Sequence, residues 1–120
     1  MDILLITLKS IYGAFFVFAG VMHIIKPNVF KHFIPKGFPK LLVNYVVGVL
    51  EAAVGIGLFI PSFSSYAAIG IIVLLILFLP IHIWDVTRER PAIGSKQRAF
   101  IRIPLQFLLI FGAYYIYTNS

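Results

Sequence analysis

Residues 41–84 read LLVNYVVGVLEAAVGIGLFIPSFSSYAAIGIIVLLILFLPIHIW. Two apolar runs, 41–60 and 63–84, flank Pro61-Ser62, and Glu51 is the one Asp, Glu, Lys or Arg in the stretch. Roughly 20 helical residues at 1.5 Å rise cross a hydrocarbon core. In lipid a segment must satisfy its own backbone hydrogen bonds, so helix is required despite the many Ile and Val residues. Pro61-Ser62 leaves room only for a tight turn. The stretch is a transmembrane helical hairpin. A barrel would need many alternating segments of about 10 residues, and the sequence has none.

Two further apolar runs, 3–25 and 99–117, complete the pattern. The expected fold is an all-α integral membrane protein, a four-transmembrane-helix bundle forming a single domain over residues 1–120. Composition agrees. Hydrophobic residues make up 61% of the 120 residues and charged residues 12%, against roughly 45–50% and 25% in soluble domains. A soluble fold of this length buries too little surface to hide so much apolar area. Disordered and nucleic-acid-binding chains are polar and rich in charge, and both classes fall away. There is no cysteine, which removes disulfides, thiol relays, Cys-ligated metals and thioether-linked haem. The long first apolar run, its Met-Asp start and the His23 to Lys26 segment that follows do not fit a cleaved signal peptide.

The net charge of +6 is explained by position. Lys26, Lys31, Lys36 and Lys40 lie in the first loop. Arg88, Arg90, Lys96, Arg98 and Arg102 lie in or beside the third, leaving only Lys9 elsewhere. The positive-inside rule then predicts both basic loops in the cytoplasm and both termini outside, in an inner (plasma) membrane of bacterial type. Lys26-Pro27-Asn28 ends the first helix, and Pro35, Gly37 and Pro39 keep its loop irregular. Phe30, Phe33 and Phe38 alternate with the lysines of that loop. This suits a segment at headgroup level, rings in the interface and ammonium groups on phosphates. Tyr114, Tyr115 and Tyr117 form the aromatic belt on the other side.

Polar residues within the runs carry the functional information. Glu51 sits near the centre of the second helix, where a carboxylate must face the bundle, find a partner or hold a proton. Asn44, Gly48, Glu51 and Gly55 share one stripe, and Gly13, Phe16, Gly20 and His23 form another. The glycines allow close helix approach. The third helix ends with His82 and Asp85 one turn apart, after Pro80, which would free a carbonyl. The fourth opens with Arg102 and Gln106 on one face and Pro104 in its first turn. Topology brings His23, His82, Asp85, Arg102 and Gln106 to one depth, with Asn44 nearby and Glu51 deeper. Together these outline a polar pocket in the cytoplasmic half.

Each residue also has a structural reading. Asp85 and Arg102 pair as ions at the membrane surface, His82 serves the interface, and His23 or Glu51 serves packing. Metal and haem are disfavoured: the one i,i+3 pair of ligand residues is His82–Asp85, and Glu51 is too deep to join it. No nucleophile–base pair, P-loop or dinucleotide fingerprint is present, so no catalytic residue is assigned.

Phe18-Ala19-Gly20-Val21-Met22-His23 with Lys26-Pro27, then Gly48-Val49-Leu50-Glu51 with Gly55-Ile56-Gly57-Leu58-Phe59-Ile60-Pro61, resembles the DoxX-like family of small membrane proteins (MauE/DoxX relatives) over nearly the whole chain. The resemblance implies a compact four-helix unit linked to a redox system, with Glu51 and His23 as its polar core positions. Lacking cysteine, this chain would draw any thiol chemistry from a substrate or partner. The leading expectation is a membrane subunit or accessory protein of a quinone- or proton-linked redox system. Its pocket would be formed by Glu51, His23, His82, Asn44 and Gln106, and quinone is the cofactor it admits. The alternatives are a non-catalytic assembly or chaperone-like protein gripping a partner helix or lipid, and a small-solute carrier acting as an oligomer. Partners are the bilayer and a second protein or copy of the chain, not nucleic acid.

Overall fold

Four antiparallel helices follow one another: α1 Ile3–Ile25, α2 Lys40–Leu58, α3 Ser64–Thr87 and α4 Lys96–Asn119. The computed structural model describes residues 3–89 and 91–120. Met1 and Asp2, used in the signal-peptide argument, and Arg90, counted in the third loop, lie outside them. Each helix is long and apolar enough to cross a bilayer, and the chain is an all-α membrane bundle. Its long dimension of 47 Å compares with about 40–45 Å for a bilayer with its headgroups. Large apolar side chains such as Ile11, Phe18, Val49, Leu77, Leu108 and Phe111 stay exposed around the bundle. Water would disfavour that surface and lipid tails would not.

The helices differ from the apolar runs at their ends, because hydropathy reports where the chain meets water and not where the helix stops. In α4, Ser95 caps the N-terminus, its hydroxyl accepting from the Arg98 N–H at 3.2 Å. That cap draws Lys96, Gln97 and Arg98 into the helix. Pro104 therefore lies inside α4 and not in its first turn. α3 runs past Trp84 to Thr87. The first loop is less irregular than expected: two 3-10 turns, Pro27–Val29 and Lys31–Phe33, follow α1. Only then does the chain bend through Gly37 at φ +96°.

α1 and α2 meet backbone to backbone. A Cβ on Gly20 would lie 2.5 Å from the Gly48 carbonyl oxygen, and one on Gly55 would lie 2.8 Å from the Gly13 carbonyl oxygen. The apolar core fills the end away from the basic loops, with Leu5, Tyr12, Phe16, Leu58, Ala68, Ile71, Ala113 and Ile116 among its members. Two polar ties close that end: the Tyr12 hydroxyl donates to the Leu109 carbonyl at 2.8 Å, and the Ser64 and Ser120 hydroxyls meet at 3.1 Å.

Candidate functional site

The basic end holds a cavity of about 290 Å³, lined from all four helices and both basic loops. Its walls are mostly apolar, including Ala19, Val43, Val47, Phe78 and Ile81, with His23, Asn44, Glu51, His82 and Arg102 among them. Asn44 and Glu51 are 1% and 5% exposed.

His23 sits at the centre of a hydrogen-bonded row. Its Nδ1 is 2.8 Å from Asn44 Oδ1, and its Nε2 is 2.9 Å from Glu51 Oε1. The Asn44 amide donates to the Lys40 carbonyl at 3.1 Å and the Pro27 carbonyl at 3.3 Å. Both amide hydrogens are thus committed, and Oδ1 can only accept. It follows that Nδ1 of His23 carries a hydrogen. Nε2 then shares one proton with Glu51, either as imidazole accepting from a carboxylic acid or as imidazolium donating to a carboxylate. The pair is neutral overall in both forms, which suits a low-dielectric site. Glu51 Oε1 has no other partner among the described residues. Both His23 nitrogens are engaged, so neither is free to ligate haem or a metal. Among the described residues, no group of three His, Asp or Glu side chains could hold a metal ion.

The sequence reading set Glu51 deeper than His23 in the same pocket, and the contact shows how the two meet. Gly20 abuts Gly48, so the Glu51 Cα lies about 9 Å deeper than that of His23 at 1.5 Å per residue. Helical side chains lean toward their own N-terminus. In an antiparallel pair they lean in opposite directions, so His23 reaches inward, Glu51 reaches back, and the gap closes.

Loop aromatics complete the site. Phe30 stacks on the His23 ring, with centroids 3.7 Å apart and planes at 19°. Phe33 meets His82 edge-on at 5.9 Å. Both rings line the cavity, whereas the sequence reading had placed them among headgroups; only Phe38 stays exposed. The available signal was spacing: after Pro27 starts a 3-10 segment, residues three apart fall on one side.

Two placements need correction. Asp85 does not pair with Arg102. Its Oδ1 accepts from the Ala92 N–H at 2.7 Å and lies 3.3 Å from Arg88 Nη1, and its Oδ2 accepts from the Ile93 N–H at 3.4 Å. A carboxylate near a helix C-terminus faces unfavourable carbonyl dipoles, and the folded-back loop supplies N–H donors against them. Arg88, the C-cap residue just past α3, reaches back to Asp85 three residues earlier. Arg102 instead lines the cavity, and its buried Nη1 has no hydrogen-bond partner among the described residues. Gln106 is the second correction. It does not line the cavity; its amide donates to the Leu75 carbonyl at 2.6 Å, inside the α3–α4 contact. Pro80 frees the neighbouring Ile76 carbonyl, and the polar group from α4 meets α3 at that weakened turn.

Chemically, the cavity offers an apolar body, one transferable proton on the His23–Glu51 pair, and a guanidinium donor at Arg102. No curated protein and no solved structure matches the chain. Residues 12–117 match the family described as Domain of unknown function (DUF8561), and the chain belongs to that family.

Proposed function

We propose that the chain is the quinone- or proton-linked membrane subunit of a redox system, and that the cavity at its basic end binds a quinone ring. The observation that carries this reading is the 2.9 Å contact of His23 with Glu51 on the wall of a largely apolar cavity. A quinone is an apolar ring with carbonyl oxygens that gain protons on reduction. The His23–Glu51 pair can give or take one proton there, while Arg102 donates to a ligand oxygen. Phe15, half exposed on α1, stands on the cavity wall, which favours entry of a lipid-soluble ligand from the bilayer. Electrons would come from a partner protein. The positive-inside bias supports placing this end in the cytoplasm with both termini outside. The likeness of the glycine, histidine and glutamate motifs to DoxX-like proteins supports the redox assignment.

A short-chain quinone added to the detergent-purified protein tests the reading. Ligand bound only to the folded state raises the unfolding temperature. Wild type should be stabilised in a concentration-dependent way, and Arg102→Gln much less. Glu51→Gln should fold and still bind, yet no longer exchange a proton on quinone reduction by a supplied donor. Failure of the quinone to stabilise wild type would overturn the assignment.

A further inference from the structure

A second cavity opens at the basic end and adjoins the site above at Ile34, which lines both. It measures about 430 Å³ and is lined by His32, Ile34, Lys36, Lys40, Trp84 and Arg88. Three of these six side chains are Lys or Arg and none is a carboxylate. Two acids adjoin this wall in the chain: Asp85, next to Trp84, is buried and already accepts from the Ala92 and Ile93 N–H groups while pairing with Arg88, and Glu89, next to Arg88, is exposed. Lys36, Lys40 and Arg88 outnumber Asp85 and Glu89, so the wall is net positive, with Lys36 and Lys40 exposed and in no ion pair among the described residues.

Arg88 is held in place. Its guanidinium lies 4.5 Å from the Trp84 ring centroid, and Nη1 donates to the His32 carbonyl and to Asp85. A guanidinium fixed this way presents its remaining N–H groups with little entropy left to lose. The cavity also sits at a defined depth. Lys40 is the first residue of α2, and Trp84 and Arg88 bracket the end of α3. That is where apolar helix gives way to basic loop, the level of lipid headgroups. Phe38 and Leu41, on either side of the Lys40 end of the loop, are 59% and 55% exposed and offer apolar surface beside the cations.

We infer that this cavity binds the phosphodiester headgroup of an anionic phospholipid from the bilayer the chain spans. Arg88 and the two lysines contact the phosphate oxygens, Trp84 lies at the glycerol level, and Phe38 and Leu41 meet the acyl chains. The lipid would brace the loop that carries Phe30 and Phe33 against the end of α3.

Native mass spectrometry of the full chain in mild detergent, offered phosphatidylglycerol or phosphatidylcholine, tests the site. Wild type should retain phosphatidylglycerol in preference to phosphatidylcholine. The double change Lys36→Gln and Lys40→Gln should weaken that retention by about fivefold per lysine. Lys26→Gln with Lys31→Gln removes the same charge from the same loop outside the cavity, and should have a much smaller effect. Both lysine pairs are exposed at the side chain, and an unchanged unfolding temperature confirms that each variant folds; Lys36→Gln alone should act in the same direction. The inference is overturned if the two pairs weaken binding equally, since the effect is then general surface charge. Equal retention of phosphatidylcholine also overturns it, as does displacement by millimolar inorganic phosphate, which would make this a site for free phosphate.

Discussion

The two ends of the bundle are built on opposite terms. Away from the basic loops the four helices close around small and branched apolar side chains, with polar ties such as Tyr12 to Leu109 and Ser64 to Ser120. At the basic end the same helices part around a cavity, and their contacts pass through His23, Asn44, Glu51 and two phenylalanines of the loop. The packed end makes the bundle stable. Among the described residues, Arg102 Nη1 at the open end and Gln106 Oε1 in the adjoining α3–α4 contact are buried without a hydrogen-bond partner. Stability is commonly surrendered in this way where a ligand has to be received.

Substitutions can break or sharpen that contrast, and His23→Leu should do so most. It strands Glu51 and the Asn44 oxygen together, and removing one partner of a buried pair costs about 3–5 kcal/mol. Unfolding in mixed micelles should show the loss, and His23→Leu with Glu51→Leu should recover much of it. Equal damage in the single and double variants would mean that the two residues are not coupled. Next comes Ile71→Ala in the packed end. Lipid is as apolar as the interior, so little transfer energy is at stake and the lost contacts dominate. A fall of about 2 kcal/mol is expected in the same unfolding measurement, with no change in quinone binding. Arg102→Met should move stability the other way, up by about 1 kcal/mol, because an incompletely partnered cation leaves the bilayer; quinone should then stabilise the variant less than wild type. A destabilised Arg102→Met would mean the guanidinium already has a partner. The smallest effect belongs to Ser64→Ala. The hydroxyl contact with Ser120 is worth about 1 kcal/mol or less, readable as a shift of a few degrees in the unfolding temperature.

Much of the fold was legible because lipid leaves the chain few choices. Length, apolarity and Pro61-Ser62 suffice for four helices and one tight turn. Glu51, His23 and Asn44 stood out because a polar group inside an apolar run must meet another. The rest depended on direction. Treating residues as points at a depth put His23 and Glu51 in one pocket at different levels, without the direct contact that their leaning side chains make. A shared helical face put Gln106 with Arg102, yet one turn along α4 was enough to send it to the Leu75 carbonyl. Asp85 and Arg102 carried opposite charges at one level, but the donors that satisfied Asp85 came from the Arg88 C-cap and from backbone N–H groups, which sequence patterns do not display. Phe30 and Phe33 were read from composition as interfacial, while two short 3-10 turns fold them over the histidines.

The hydrogen bond between His23 and Glu51 has an electrical consequence. A proton crossing a 2.9 Å N···O contact moves roughly 1 Å out of a hydrocarbon thickness near 30 Å. Even if that bond lay along the membrane normal, about one thirtieth of the voltage would act on it, on the order of 0.1 kcal/mol per 100 mV. The proton's position between the two groups is therefore nearly blind to membrane potential. It shifts instead with whatever base or acid enters the cavity, so energising the membrane should leave the proton's place within the pair unchanged.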